Sequence, residues 1–349
     1  MTTIYFGTNR QLLPGNDFGP RFSEEGLDNL RFGRAEVQGE NFNQYEIQVA
    51  PENLAAREPV LGSVQVFSQV QAEMQAAAED TILFIHGFNT SFREALTAAA
   101  QLHHKITTPK NAAEPRLRLN MCLFSWPSDG ETILSGANAQ SRIAYHNDRL
   151  DARASGAAFA RGFLKLADFI HGGTQRCPRR IHLLAHSMGN YVLRYALQDL
   201  RSFRGDRLPR LFDQMILMAA DEDDDAFESD DKLGLLTQLT RRTSVYFNRE
   251  DLALWASDRI KGNPPRLGSD GPLHPQTLPR NVYPIDCTDV VSRLSEPSEH
   301  SYHIRVERVL QDLRQVLAGN IPDEIRGRKF VAETNRYRLL MNANQLQIR

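Results

Sequence analysis

A serine between small neighbours is the first candidate for chemistry. In Arg180–Val192 (RIHLLAHSMGNYV) an apolar run ends at Ser187, with Ala185 two residues before it and Gly189 two residues after it. The run predicts a buried strand, and the apolar spacing from Met188 to Leu200 predicts a helix directly after it. A sharp strand-to-helix turn exposes a serine hydroxyl at the end of a sheet, where it can act as a nucleophile. A serine N-cap on a crossover helix is the alternative interpretation.

A nucleophilic serine needs a base, and three histidines follow Ser187 along the chain. The hydroxyl is a weak nucleophile at neutral pH, so a histidine must accept its proton. In strand–turn–helix hydrolases the chain order is serine, acid, histidine, which leaves His274, His300 and His303. His300 follows the last predicted strand and precedes an amphipathic helix, so it is the preferred base. His274 follows no strand, and His303 is expected to cap or pack the helix.

The acid that orients the histidine has two candidates. Asp251 follows the apolar segment Ser244–Asn248 and directly precedes a predicted helix, which makes it the first choice. Asp221, which follows the preceding predicted strand, is the alternative acid.

Asp221 also opens an acidic run, DEDDDAFESDD, that ends at Asp231. The run does not fit a calcium-binding EF-hand loop, because Ala226 and Lys232 stand where that loop needs Gly and Glu. Most of the run is expected to be a solvated helix start, where acidic groups favour the positive end of the helix dipole. Near the strand ends it would disfavour anionic substrates, so we expect a neutral one.

A histidine–glycine pair upstream predicts the site for the developing oxyanion. His86, Gly87 and Phe88 follow an apolar strand in TILFIHGFNTSF. The backbone N–H groups of Phe88 and Met188 are expected to hold the oxyanion, and Gly87 permits a close approach. His86 is expected to fix the loop by hydrogen bonding. Trp126, in SWPSDG, is expected either to line the acyl side of the pocket or to pack under the loop.

The elements that must position these residues alternate along the chain. Short apolar runs separated by amphipathic stretches are typical of parallel strands joined by crossover helices. We therefore predict an α/β fold with a mostly parallel central sheet, helices on both faces, and antiparallel strands from the first 80 or so residues at one edge. The hydrolase domain is predicted over residues 1–318, with 319–349 as a mildly basic C-terminal extension. The predicted strands are Thr3–Gly7, Tyr45–Val49, Ser63–Phe67, Thr81–Ile85, Leu117–Phe124, Ile181–His186, Met215–Ala220, Ser244–Asn248 and Val282–Cys287, and the predicted helices are Ser91–His104, Ile143–His171, Met188–Leu200, Phe227–Leu239, Leu252–Ile260 and Tyr302–Val316.

Composition excludes several classes of function. The 349 residues carry a net charge of -2, which offers no electrostatic footprint for nucleic acid or a membrane surface. The three cysteines are widely spaced and suggest neither a disulfide framework nor a zinc site. We expect no metal and no cofactor. The N-terminus lacks signal-peptide features and no segment is long enough for a membrane span, so a cytoplasmic protein is expected. The oligomeric state stays open.

Nine short motifs, in order, resemble the α/β-hydrolase fold, and specifically a bacterial family of the esterase/lipase superfamily long catalogued as a domain of unknown function. The resemblance covers the chain to about Leu317. It implies a serine hydrolase with Ser187 as nucleophile and His300 as base, and it supports Asp251 as acid. An alanine at the position of Ala185 is within the family's pattern. The motifs are YFGTNR, FIHGFNTSF, FSWPSDG, LLAHSMGN, AADEDDDAF, REDLALWAS, PRLGSDGP, YPIDCTDV and EHSYH.

Together these observations predict a carboxylesterase-type serine hydrolase that cleaves a small ester-like substrate through an acyl-enzyme on Ser187. Two alternatives remain at this point. The same site can transfer the acyl group to an acceptor other than water, or the fold can serve as a non-catalytic binding or scaffold protein with the basic tail as partner contact.

Overall fold

An eleven-stranded sheet forms the centre of the protein. The computed structural model describes residues 2–27, 29–52, 57, 60–128, 139–172, 179–205, 207–255, 264–291 and 300–342. Within these ranges no helix combines the length and apolar character needed to cross a membrane. The strands are β1 Thr2–Thr8, β2 Arg10–Leu13, β3 Asp17–Phe22, β4 Arg31–Val37, β5 Tyr45–Val49, β6 Asp80–Ile85, β7 Leu119–Ser125, β8 Ile181–His186, β9 Phe212–Met218, β10 Thr240–Phe247, β11 Val282–Asp286, β12 Arg328–Val331 and β13 Arg336–Leu339.

The strand order of the sheet is β12-β13-β11-β10-β9-β8-β6-β7-β1-β4-β5, and β2 and β3 form a separate hairpin. Every neighbouring pair from β13 to β1 is parallel. The strands β4 and β5 add antiparallel pairing at one edge, and β12 adds it at the other. The carboxyl ends of β6, β8, β9 and β10 therefore lie side by side at one edge of the sheet, where residues from distant parts of the sequence can meet.

Helices cover both faces of the sheet and bury two apolar clusters. On one face α1, α3 and α4 pack over the sheet, and on the other α2 and α9 do so. This confirms the predicted α/β fold class. The helices are α1 Gly62–Ala76, α2 Phe92–Thr107, α3 Ala139–Gly172, α4 Gly189–Arg204, α5 Leu236–Leu239, α6 Leu267–Asp270, α7 Thr288–Val291, α8 Tyr302–Arg305 and α9 Glu307–Leu317.

Two element predictions were wrong. The segment Ser63–Phe67, predicted as a strand, lies in α1, because the buried positions continue at helical spacing through Val66, Val70 and Met74. The predicted helix Phe227–Leu239 is interrupted, because Gly234 folds back on Ser229 in a tight turn. Only a 3₁₀ turn at Ala226–Glu228 and the short α5 form there. The predicted helix Leu252–Ile260 runs beyond the described residues after Trp255.

The C-terminal extension belongs to the sheet. The strand β13 pairs in parallel with β11, and β12 pairs with β13. Arg328, the first residue of β12, donates to both carboxylate oxygens of Asp312 in α9, at 2.7 and 2.5 Å. Tyr246 donates to the same carboxylate at 2.6 Å. Burial opposes ionisation of Asp312, but Arg328 outweighs it and lowers the pKa of this carboxyl. Residues up to Leu339 are thus part of the domain, whereas 343–349 lie outside the described residues.

This buried ion pair gives a test of the extension's role. Arg328→Ala leaves Asp312 buried without its cation, so the free energy of unfolding should fall by about 3–5 kcal/mol in urea denaturation. Arg338→Ala is the matched control, because the side chain of Arg338 is 51% exposed where it pairs with Asp289. Its effect should stay below about 1 kcal/mol. Equal effects of the two variants would contradict the role of the extension in the core.

Candidate active site

Ser187 lies on a strained turn between β8 and α4. Its backbone adopts φ 54°, in the left-handed region that residues other than glycine rarely occupy. The Ser187 N–H donates to Met218 O at 3.0 Å, and the Ser187 carbonyl accepts from Asp221 N at 3.2 Å. These two hydrogen bonds hold the turn. A Cβ at Gly189 would lie 2.8 Å from the backbone oxygen of Ile85, at the end of β6, and 2.7 Å from that of His86, so glycine is required there. Strain at a buried, over-determined turn is typical of functional sites.

The loop after β6 packs directly against Ser187. A Cβ at Gly87 would lie 2.8 Å from Ser187 Cβ and 3.3 Å from Ser187 Oγ, so only glycine fits. Met188, the N-cap of α4, has an N–H that makes no backbone hydrogen bond to the described residues. The backbone of residues 87–89 and the start of α4 thus border the same small space beside the hydroxyl. Both predicted donors, Phe88 N–H and Met188 N–H, belong to these two segments.

His86 and Trp126 support this loop from inside the protein. Trp126 N–H donates to His86 Nε2 at 3.2 Å, so His86 Nδ1 carries the proton and donates to Gly87 O at 2.9 Å. The two rings stack 5.3 Å apart, and the indole N–H donates to His86 O at 2.9 Å. Burial lowers the pKa of His86 to about 3, with Arg10 adding to the effect. His86 is a neutral structural residue, and Trp126 packs under the loop, fully buried, instead of lining a pocket.

Asp251 and His300 form a hydrogen-bonded pair at the same edge of the sheet. His300 Nδ1 lies 2.7 Å from Asp251 Oδ2, and the carboxylate is fully buried while the imidazole is 16% exposed. Asp251 Oδ1 accepts from Leu254 N at 3.0 Å, which fixes the carboxylate at the first turn after β10. A carboxylate acceptor holds the proton of His300 on Nδ1, which makes Nε2 the unprotonated nitrogen of the neutral ring.

His186, the residue before Ser187, connects this pair to the turn. His186 Nε2 donates to the backbone carbonyl of His300 at 3.2 Å, and the two rings lie 4.9 Å apart. Burial, with smaller contributions from His303 and His300, holds the pKa of His186 well below its usual value, so it donates as a neutral ring. The Ser187 hydroxyl forms no hydrogen bond to the described residues. Catalytic hydrogen bonds often tighten only when substrate is bound.

Asp221 is engaged elsewhere. Its carboxylate accepts from Arg266 Nε at 2.9 Å and from Tyr145 Oη at 2.9 Å. Arg266 is fully buried and also donates to Asp223 at 2.7 Å. The described contacts therefore bring Asp251 to His300 and bring Asp221 to a buried arginine.

The acidic run is not the solvated helix start that the sequence suggested. Asp221, Glu222 and Asp223 are buried, because a salt bridge to a cation compensates each of them. Besides the contacts of Arg266, Arg194 lies 2.8 Å from Glu222 and Lys232 lies 2.9 Å from Asp223. These three cations compensate the three buried carboxylates at the start of the run.

Asp148 of α3 anchors the loop from the other side. Its buried carboxylate accepts from Asn89 N at 3.1 Å and from the hydroxyl of Ser128, and Ser128 Oγ accepts from Thr90 N at 3.1 Å. Arg10, from β2, donates to Thr90 O at 2.6 Å. The two residues that follow Phe88 are thus held by buried side chains.

The comparison with known families agrees with this architecture. Residues 65–315 match the sequence model of a family described as alpha/beta hydrolase of unknown function (DUF900). The protein belongs to this family. No curated protein matches the sequence.

The DUF900 match covers β6 to α9 and thus every residue of the predicted catalytic set. The remaining histidine candidates have other partners. His303 is buried in α8 with its ring 4.2 Å from His186, which agrees with a packing role. His274 is largely exposed, and its Nδ1 lies 2.5 Å from Glu228 Oε1. Among the described residues, no three His, Cys, Asp or Glu side chains are grouped as metal ligands would be.

The sequence pattern did not indicate the contributions of Asp148, His186 and Arg266 in this DUF900 member. A signal existed for Asp148, because it shares a helical stripe with Tyr145 and Ala152, and a carboxylate on a buried stripe needs partners. His186 is part of the motif LLAHSMGN, but the sequence did not indicate a partner for its side chain. Arg266 had no such signal, because its contacts bring together segments distant along the chain.

The role of Asp148 can be tested without reference to activity. Asp148→Ala leaves Asn89 N–H and Ser128 without their acceptor, so amide hydrogen exchange in residues 86–92 should accelerate at least about tenfold. Asp148→Asn, which keeps one acceptor oxygen, should have a smaller effect. Asp168→Ala on the same helix is the control, because the Asp168 side chain is 70% exposed. Unchanged exchange in Asp148→Ala would show that the loop is held without this residue.

Proposed function

We propose that the protein is a serine hydrolase of carboxylesterase type that cleaves an ester-like bond through an acyl-enzyme on Ser187. The observation that carries the proposal is the 2.7 Å hydrogen bond between His300 Nδ1 and buried Asp251, placed beside the strained turn that carries Ser187. Membership of an α/β-hydrolase family supports hydrolysis in general. The serine mechanism and the ester-like substrate are the new elements of the proposal.

In the proposed mechanism, Ser187 Oγ attacks the carbonyl carbon while its proton moves to His300 Nε2. Asp251 stabilises the imidazolium that forms and keeps its ring oriented. The backbone N–H groups of Phe88 and Met188 donate to the carbonyl oxygen as it becomes negative. His300 then gives the proton to the leaving alcohol, and an ester bond to Ser187 remains. Water, deprotonated by His300, hydrolyses that ester and releases the carboxylic acid.

Asp251 is favoured over Asp221 as the acid on electrostatic grounds. The positive charge of Arg266 already offsets the charge of Asp221, so this carboxylate would stabilise an imidazolium less. Asp251 has a fixed orientation and contacts the ring directly. This assignment agrees with the order of serine, acid and histidine along the chain.

The nucleophile can be identified by labelling with a fluorophosphonate. Wild-type protein should label, and Ser187→Ala should not, because the phosphorus forms its bond to the Ser187 oxygen. His300→Ala should label about 10³-fold more slowly, since the base is lost. Ser202→Ala, on the exposed side of α4, and His274→Ala are the controls and should label at the wild-type rate. A folded wild-type protein that does not label would favour the non-catalytic alternative.

The acid can be identified from kinetics with a short p-nitrophenyl ester. Asp251→Asn should lower kcat by about 10²–10⁴-fold with little change in KM, because the substitution disturbs the tautomer of His300. Asp221→Asn should instead lower the free energy of unfolding, since Arg266 loses a buried charged partner. Normal kcat in Asp251→Asn would assign the role to Asp221. Adding an alcohol acceptor and measuring transesterification distinguishes hydrolysis from acyl transfer.

A further inference from the structure

An apolar cavity of about 140 Å³ lies between α1, α3 and one face of the sheet. Phenylalanines from the sheet and both helices dominate its wall, among them Phe32, Phe67, Phe124, Phe163 and Phe169. An apolar cavity of this size resembles the engineered cavity of 150 Å³ that stays dry and binds benzene. It has room for one alkyl chain or one ring.

The cavity is separate from the candidate active site. On the strands nearest Ser187, the wall residues Thr81, Ile181 and Phe212 lie at or near the amino ends of β6, β8 and β9; farther away, Gly7 and Phe124 extend the wall to the carboxyl ends of β1 and β7. Ser187 follows the carboxyl end of β8, six residues from Ile181, which corresponds to about 20 Å along a strand. None of the residues of the predicted catalytic set, nor any of their hydrogen-bond partners described above, lines the cavity.

An unfilled apolar cavity destabilises a core, because the atoms that line it lack contacts on one side. A ligand in this space would supply those contacts.

Two polar groups at one end indicate what kind of ligand fits. The buried hydroxyl of Thr81 has no hydrogen-bond partner among the described residues and lies in the cavity wall. Arg179, also in the wall, is exposed and has no carboxylate within salt-bridge distance among the described residues. Thr81 pairs with Ile181 in the sheet, so the two groups are near each other. Burial raises the pKa of Cys122, another wall residue, to about 12, so its thiol adds no negative charge.

We propose that this cavity binds a free fatty acid of about six carbons, with the chain among the phenylalanines and the carboxylate at Arg179 and Thr81. The site is independent of the proposed hydrolase activity. A neutral chain such as an alcohol or a methyl ester can fill the apolar part but lacks the charge that complements Arg179.

The test uses hexanoate and the Ser187→Ala variant, so that turnover plays no part. Isothermal titration calorimetry should show saturable binding of one hexanoate. Val70→Phe, which places a ring from α1 into the cavity, should weaken binding at least tenfold, and Val70→Leu should weaken it less. Val64→Phe is the matched control, because Val64 of the same helix is 47% exposed, and it should bind as Ser187→Ala does. Thermal denaturation of each variant establishes that it is folded.

A second experiment tests the contact between the ligand carboxylate and Arg179. Arg179→Gln should weaken hexanoate binding about fivefold, the value of a partly exposed ion pair, and leave 1-hexanol binding unchanged. Equal affinity for hexanoate, 1-hexanol and methyl hexanoate in the Ser187→Ala protein would overturn the assignment of a free acid. The site itself is overturned if hexanoate shows no saturable binding, if folded Val70→Phe and Val70→Leu bind normally, or if phosphonylation of Ser187 in wild-type protein abolishes binding. Failure of Ser187 to label would leave the other outcomes unaffected.

Discussion

The close approach of two backbone segments at the carboxyl edge of the sheet is the constraint on which the candidate site depends. Gly87 and Gly189 have no room for a side chain, because each contacts atoms of the facing segment at less than the distance a Cβ needs. Hydrogen bonds to Met218 of β9 and from Asp221 after it hold the Ser187 turn in its left-handed backbone. A serine hydroxyl and the amides of two loops are thereby brought into one small space before any substrate binds.

Buried charges determine which carboxylate is available at that edge. The carboxylates of Asp221, Glu222 and Asp223 lie against arginines and a lysine, and this pairing is what permits their burial. A buried arginine such as Arg266 would be strongly destabilising without them. Asp251 differs, since the described hydrogen bonds of its side chain come from a backbone amide and from His300. A run of acidic residues and a single aspartate thus have opposite roles: the run stabilises the fold, and the single residue orients a histidine.

The fold class and the order of the central elements were predictable, because buried parallel strands and crossover helices leave strong local patterns. The strand β8 and the turn at Ser187 occur where the sequence places them. Prediction failed where long-range contacts outweigh local pattern. The alternation in Ser63–Phe67 is too short to exclude a helix, and Gly234 interrupts an apolar stripe that otherwise indicates one. The charges of the acidic run could not be assigned to solvent or core, because their partners Arg194 and Arg266 lie up to 45 residues away along the chain.

The helix α3 contributes to both ends of the sheet. Asp148, in its first half, holds the loop after β6, whereas Phe163 and Phe169, in its second half, line the apolar cavity. At a rise of 1.5 Å per residue, Asp148 and Phe163 are separated by about 22 Å, which exceeds the Debye length of about 8 Å at physiological ionic strength. Arg179 precedes Ser187 by eight residues, or about 25 Å along a strand, so its charge has little direct effect on the Ser187 turn. Two elements connect the cavity to the loop: α3, through Asp148, and β7, with Phe124 in the cavity wall and Trp126 packed under the loop.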